Sequence, residues 1–162
     1  MKALATQGLG TQLRHLVELL DGGVDEIYKI EGLDYRPRYT PIVRALENQS
    51  ALTIKSIAKS AGISHSAASQ TISKMISIGL LEHAKGKDGR ERLIRLTNHA
   101  RSILPRLHHV WRATQIAADE LDAELAIPLS EVAEQAIIAL SKKSFVQRIA
   151  EHVSTQLEGV TS

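Results

Sequence analysis

The sequence contains no cysteine, which excludes disulfides, thiolate-bound metals and thiol-based sensing of oxidation. Phe, Trp and Tyr make up only 3% of its 162 residues, so the core must be built from aliphatic side chains, as in helices packed on helices. The first ten residues lack the apolar stretch of a signal peptide, and no apolar run approaches the ~20 residues that span a bilayer. These absences predict a cytoplasmic protein with no membrane segment.

Positive charge is concentrated in the middle third of the chain. Residues 53 to 106 contain ten Lys or Arg and three Asp or Glu, a net charge of +7. Residues 1 to 52 hold six basic and seven acidic side chains, and residues 107 to 162 hold four and eight, so the whole chain carries only +2. A cationic segment between two acidic ones is typical of a surface that binds a polyanion such as nucleic acid.

The cationic segment begins with a pattern typical of two short helices joined by a tight turn. Thr53 is expected to cap the first helix, and Gly62 supplies the positive φ of the turn. Ser64 is expected to cap the second helix, which covers about residues 64 to 78. The side chains predicted to be buried on the second helix are Ala68, Ile72, Met75 and Ile76.

The opposite face of the second helix is small and polar, which suits a helix that enters the major groove of DNA. Gln70 can pair bidentately with adenine, Ser66 can bond several bases, and the methyl group of Ala67 suits that of thymine. A cation one turn further on, together with the free N–H groups of the helix start, is expected to contact phosphates. The predicted phosphate contacts are Ser64, His65 and Lys74.

Two strands, LLEHAK and RLIRL, are predicted on either side of a basic loop. The resulting wing, residues 85 to 92, is expected to place its tip in the minor groove, where the electrostatic potential is most negative. The predicted minor-groove residues are Lys85, Lys87, Arg90 and Arg92. Asp88 is expected to pair with Arg90 or Arg92 and so to hold the shape of the loop.

Amphipathic helices are predicted on both sides of this central segment. The first starts near Leu9 and is expected to be weakened or bent at Gly22 and Gly23, and a second ends near Asn48. A long helix capped by Thr97 or Asn98 follows the wing, with a kink expected near Pro105. Helices at about 130 to 141 and 144 to 157 complete the chain. The apolar stripes of the terminal helices exceed what one small lobe could cover, which predicts a homodimer.

The central motifs resemble the winged-helix core of the multiple-antibiotic-resistance (MarR) type of regulator. They are Thr53-Ile54-Lys55-Ser56-Ile57-Ala58, Ile63-Ser64, Ser69, Ile78-Gly79-Leu80-Leu81, Asp88-Gly89-Arg90 and Leu96-Thr97. The most specific element is Asp-x-Arg in the wing, six residues ahead of Leu-Thr. The resemblance implies a homodimeric repressor, or occasionally an activator, that reads a pseudo-palindromic operator in double-stranded DNA and is tuned by a small-molecule effector. The chain departs from the family at Gly22-Gly23 and in ending with two short helices where one longer helix is common.

The sequence therefore predicts a mainly α fold with a small β-ribbon wing. The expected parts are an N-terminal dimerisation helix in residues 1 to 36, a winged helix-turn-helix lobe that binds DNA in residues 37 to 97, and C-terminal dimerisation helices in residues 98 to 162. No metal, cofactor or catalytic residue is predicted. His108 and His109 are adjacent, so they point about 100° apart on a helix and cannot chelate one metal together well.

Two other classes of function stay open at this stage. One is a winged-helix module that binds a protein and does not bind DNA. The other is a helical dimer that binds or converts a small molecule, for which Trp111 is a candidate pocket residue. Gly62-Ile63-Ser64-His65-Ser66 lacks the final glycine and the preceding strand of a hydrolase nucleophile elbow, so capping explains Ser64 better.

Overall fold

The computed structural model describes residues 8 to 85 and 92 to 158. Two compact units divide within one long helix, the first ending at Arg112 and the second beginning at Ala113. The helices are α1 (Leu9–Ile30), α2 (Thr40–Leu46), α3 (Ile54–Ala61), α4 (His65–Ser77), α5 (Asn98–Glu124), α6 (Leu129–Lys142) and α7 (Phe145–Glu158). The strands are β1 (Leu52–Thr53), β2 (Leu81–Lys85) and β3 (Arg92–Leu96), and a short 3-10 helix, Pro37–Tyr39, precedes α2.

The predicted mainly helical fold with a β-ribbon is confirmed. The three strands form one antiparallel sheet in the order β1-β3-β2, with Leu81 opposite Leu96 and Leu52 opposite Ile94. The two-residue strand β1 was not predicted from the sequence, and it adds a third strand to the expected ribbon. None of the helices in the described ranges is long and apolar enough to cross a membrane.

The α1 helix runs without interruption through Gly22 and Gly23, where a weak point was expected. A Cβ atom built on either glycine would meet no neighbouring atom within 4 Å. The helix ends at Ile30, and Gly32, two residues later, has a φ of +61°. Likewise α5 is one continuous helix across Pro105. Two glycines cost roughly 1 kcal/mol each relative to alanine, which the cooperative hydrogen bonding of a 22-residue helix can absorb.

The predicted caps and turns are confirmed in the helix-turn-helix. The Thr53 hydroxyl accepts a hydrogen bond from the Ser56 N–H at 3.1 Å, which satisfies a free donor at the start of α3. Gly62 ends that helix with φ +67°, a backbone conformation that glycine adopts without strain. Gly79 has φ +75° and follows α4 in the same way.

The hydrophobic core lies in the first unit and joins α2, α3, α4 and the sheet to the first half of α5. Its large non-aromatic members, from α2, α3, α4, the sheet and α5, include Ile42, Leu46, Ile57, Ile72, Met75, Leu81, Ile94 and Leu107, each with no more than 1% of its surface exposed. The chain's three tyrosines and its tryptophan are also buried there. This core fixes the helix-turn-helix against the sheet.

The second unit contains the end of α5 and the helices α6 and α7, as the pattern of residues 130 to 157 predicted. Asp122 organises the start of α6, because its Oδ1 accepts hydrogen bonds from the Leu129 N–H at 2.7 Å and the Ser130 N–H at 3.3 Å. The Ser130 hydroxyl bonds the other carboxylate oxygen and, together with these backbone bonds, holds the pKa of the Asp122 carboxyl below its ordinary value, although desolvation opposes them. Between residues 113 and 153, no described side chain is buried.

Candidate nucleic-acid interface

The α4 helix is held by a buried stripe on one side and presents a polar face on the other. Ala68, Ile72 and Met75 are 0 to 1% exposed and lie in the core. The Ser64 hydroxyl accepts a hydrogen bond from the Ala67 N–H at 3.2 Å and caps the helix start. Because the anchored stripe cannot rotate without exposing apolar surface, the direction of the polar face is fixed.

The structure brings together the residues predicted to read DNA on this helix. The exposed side chains of the polar face are Ser64, His65, Ser66, Ala67, Gln70, Ser73, Lys74 and Ser77. The side chains of Gln70 and Lys74 make no hydrogen bond or ion pair with any residue that the structure describes. Their polar groups are therefore free to bond a ligand on this side. We call this surface the α4 face.

The wing strands β2 and β3 follow α4, and Lys85 is paired with Arg92 in their ladder. The Arg92 side chain is exposed. Lys87, Asp88 and Arg90 lie outside the described residues, as does the side chain of Lys85. The pairing of Asp88 and the minor-groove contacts of the wing tip therefore remain predictions.

An ion pair within the ribbon was missed by the sequence reasoning. Arg95 Nε contacts Glu82 Oε1 at 2.7 Å, and both side chains are about half exposed. The pair follows from the strand register, which sets Glu82 directly opposite Arg95. The ion pair neutralises one of the ten basic residues of the central segment. Arg92, which lies nearer the wing tip on β3, forms no ion pair with any described residue.

Thr97 joins the end of α4, the wing and the start of α5. Its hydroxyl donates to the Gly79 carbonyl at 2.7 Å and accepts from the Ala100 N–H at 3.1 Å. Its own N–H donates to the Leu80 carbonyl at 3.1 Å. Thr97 is thus the cap of α5, one of the two candidates from the sequence. The bonds explain physically why a Leu-Thr pair ends the wing motif.

Trp111 and His108, which were considered as ligand or metal positions, have partners within the fold. Trp111 is only 8% exposed and donates a hydrogen bond to Tyr28, so it belongs to the core. His108 bonds Glu47 at 2.7 Å. In the part of the chain that the structure describes, no three His, Asp or Glu side chains are grouped as a metal site.

A helix-turn-helix followed by a two-stranded wing defines the winged-helix class of fold.

No protein-family model matches the chain, and no curated protein matches it in sequence. Solved structures do match. The Mycobacterium tuberculosis transcriptional regulator MosR, in complex with DNA, is 18% identical with a TM-score of 0.64, over 85% of this chain and 98% of that one.

Two further solved structures are similar to the chain over most of its length. Wild-type MarR from Escherichia coli has a TM-score of 0.52 at 17% identity, over 85% of this chain and 98% of its own. Bordetella bronchiseptica BpsR, whose DNA binding is regulated by 6-hydroxynicotinic acid, has a TM-score of 0.55 at 17% identity, over 86% and 96%. The chain therefore has a MarR-like winged-helix fold, as the resemblance of its motifs predicted.

Proposed function

We propose that this chain is a transcriptional regulator that binds double-stranded DNA sequence-specifically as a homodimer. The observation that carries the proposal is the α4 face, a surface of small and polar side chains on a helix whose opposite side is buried in the core; among the described residues, the Gln70 and Lys74 side chains of this face are unpaired. A helix enters the major groove, about 12 Å wide, only when bulky groups do not hold its backbone away from the bases. The likeness to a regulator solved with DNA supports the same function.

The proposed contacts divide by position on the α4 face and the wing. Gln70, Ser66 and Ala67 read base edges, because amide, hydroxyl and methyl groups match those of bases. Lys74 and the capped helix start bind phosphates, which set the register without reading sequence. His65 adds to the phosphate site, and the basic wing enters the minor groove.

Exposed apolar side chains on the terminal helices support the proposed homodimer. They are Leu9, Leu13, Val17 and Leu20 of α1, Ile137 and Ile138 of α6, and Phe145, Val146, Ile149 and Val153 of α7. Apolar surface on this scale is rare on soluble monomers and marks an interface. A two-fold dimer would place its two α4 helices on half-sites roughly 10 bp apart.

We further propose that the dimer represses transcription by occupying its operator, and that a small ligand tunes it. BpsR, which has the same fold, is regulated by a small aromatic acid. In this chain a shallow groove of about 300 Å³ is lined by Thr40, Pro41, Arg44, Ala45, Ser60 and Ala61. Since these residues lie on α2 and at the end of α3, a ligand there would contact the helix that leads into α4.

Selection of binding sites from random double-stranded DNA, followed by anisotropy titrations at several salt concentrations, tests the proposal. We expect a pseudo-palindromic site whose affinity falls steeply as salt rises. Lys74→Ala should weaken binding, whereas Lys142→Ala on α6 serves as a matched control and should not. Failure to enrich any sequence, or binding without a salt dependence, would refute sequence-specific DNA binding.

A winged-helix module that binds a protein remains the second candidate, favoured by the low charge of the α4 face. A protein complex that survives Lys74→Glu and Arg92→Glu, from a chain that selects no DNA site, would support it. Catalytic turnover that is lost in Ser64→Ala, with the fold intact, would instead support an enzyme.

A further inference from the structure

A histidine and a glutamate connect α5 to the end of α2. His108 Nε2 and Glu47 Oε2 are 2.7 Å apart, although the residues are separated by 61 positions in the sequence. The Glu47 side chain is 21% exposed and that of His108 is 49% exposed. The contact is therefore a tertiary one within the first unit. It joins α5 to the residue that follows α2, at a place that water reaches in part.

The groups that face His108 come from α1, α2 and α5. Its ring lies 5.2 Å from that of Trp111, centroid to centroid. The Arg44 guanidinium of α2 lies 4.9 Å from the Trp111 ring, and the Tyr28 hydroxyl of α1 accepts the indole hydrogen bond. Glu47 is the carboxylate in contact with the imidazole. Two basic residues of α5, Arg106 and Arg112, lie near His108 in the sequence but face no described carboxylate within 4.0 Å.

We propose that His108 and Glu47 form a proton-sensitive positioning pair that makes the DNA affinity of this protein depend on pH. The proposal rests on the DNA-binding function proposed above. Imidazole is the side chain that ordinarily changes charge between pH 5 and 8. When it is protonated, the contact is a charge-assisted hydrogen bond, which is stronger than the neutral one.

The pair acts on DNA binding through the packing of α2. Ile42, Val43 and Leu46 of α2 are buried in the same core as Ile57 of α3 and Ile72 of α4. A stronger bond between α2 and α5 restricts the orientations that this core, and the α4 face with it, can adopt. A pre-organised surface loses less conformational freedom on binding, so protonation of His108 raises the affinity.

The expected effect is modest, because both partners are partly exposed. Partly exposed ion pairs contribute little free energy on average. A contribution of that size corresponds to about a two- to five-fold change in affinity. Other ionisable groups of the protein would change the affinity with pH alike in the wild type and in a His108 variant. The informative quantity is therefore the ratio of wild-type affinity to that of His108→Gln at each pH.

Trp111 is the only tryptophan of the chain and reports directly on its neighbour. Protonated imidazole quenches indole emission, so we expect the emission of the free protein to fall as the pH is lowered from 8 to 5. His108→Gln should abolish this change. His109→Gln is the matched control and should retain the change, because His109 is exposed at the next position of α5 and, among the described contacts, bonds neither Trp111 nor Glu47.

The affinity ratio is then measured on the selected DNA site between pH 5.5 and 8. We expect the wild type to bind about two- to five-fold more tightly than His108→Gln at pH 5.5, and equally at pH 8. Glu47→Gln should give the same loss, and the double variant no further loss. A ratio that does not change with pH, or an emission unaffected by His108→Gln, would overturn the inference while leaving DNA binding intact. Absence of DNA binding at every pH would instead refute the proposed function on which it rests.

Discussion

The indole Nε1 of Trp111 donates a hydrogen bond to the hydroxyl of Tyr28, 3.0 Å away, and so joins α5 to α1 across 83 positions of the sequence. The Tyr28 ring meets Tyr35 edge-to-face at 4.9 Å, and Tyr35 meets Tyr39 in the same way at 5.6 Å. Burial raises the pKa of the Tyr35 phenol, which therefore stays neutral. A chain with few aromatic residues has placed four of them in one cluster.

Tyr28→Phe should destabilise the protein by about 1–3 kcal/mol, because it leaves the buried indole N–H without an acceptor. Urea unfolding of the variant measures this cost. The matched control is the same substitution in a Trp111→Phe background, where no donor remains to be satisfied. An equal cost in both backgrounds would show that packing, and not the hydrogen bond, is responsible.

Thr97→Val should cost about 1–2 kcal/mol of stability, because it removes the cap of α5 and the bond to the Gly79 carbonyl while keeping the side-chain shape. Thermal unfolding followed by circular dichroism is the measurement. Asn98→Ala, at the adjacent position, is the control and should have little effect. Similar losses from the two variants would argue against a specific role for the Thr97 hydroxyl.

Gln70→Ala should lower affinity by about 1–3 kcal/mol at one base pair of the selected site and relax the preference there. Lys74→Ala should weaken all sequences alike and reduce the salt dependence, because phosphates are the same at every step. Titration against a set of single-base variants of the site separates the two effects. An unchanged base preference in Gln70→Ala would remove Gln70 from the reading residues.

Asp25 should stabilise the fold at neutral pH and cease to do so in acid. Hydrogen bonds from Lys29, at 3.2 Å, and from Arg36, at 2.6 Å, hold its pKa below the ordinary value of 3.8, although partial burial opposes them. Its contribution is complete above that ordinary value and is lost as the pH falls through the lower, folded-state pKa. The free energy of unfolding of Asp25→Asn should therefore approach that of the wild type as the pH is lowered. A gap that does not vary with pH would contradict this.

Gly22→Ala and Gly23→Ala should each stabilise the protein by roughly 0.4–1 kcal/mol, since both positions are helical and a Cβ meets nothing within 4 Å. Gly62→Ala is the matched control and should destabilise, because its φ is +67°. Chemical unfolding gives the three values. If either α1 variant is less stable and also dissociates on dilution, that glycine lies against the second copy of the chain.

The helix-turn-helix and the wing could be predicted because their signals are local. Thr53, Ser64, Gly62 and Gly79 each stabilise a cap or a turn with residues a few positions away. The apolar stripe of α4 likewise follows from helical spacing alone. The position of the polar face opposite this stripe could therefore be predicted without knowledge of any tertiary contact.

The features that were missed depend on tertiary structure. The two-residue strand β1 exists because it pairs with β3, about forty positions later, and two residues carry no periodicity of their own. The ion pair of Glu82 with Arg95 requires the strand register, and that of Glu47 with His108 requires the packing of α2 on α5. No spacing in the sequence brings these partners together.

The helices α6 and α7 contain no fully buried side chain among those described. Burial of apolar surface is the main source of helix stability in proteins, so an isolated pair of this kind has little to hold it in shape. If a second copy supplies the missing contact, the folding of these helices becomes a reaction of second order. The concentration of the protein in the cell would then determine the fraction that is folded and active. At low concentration the protein would be inactive even in the absence of an effector.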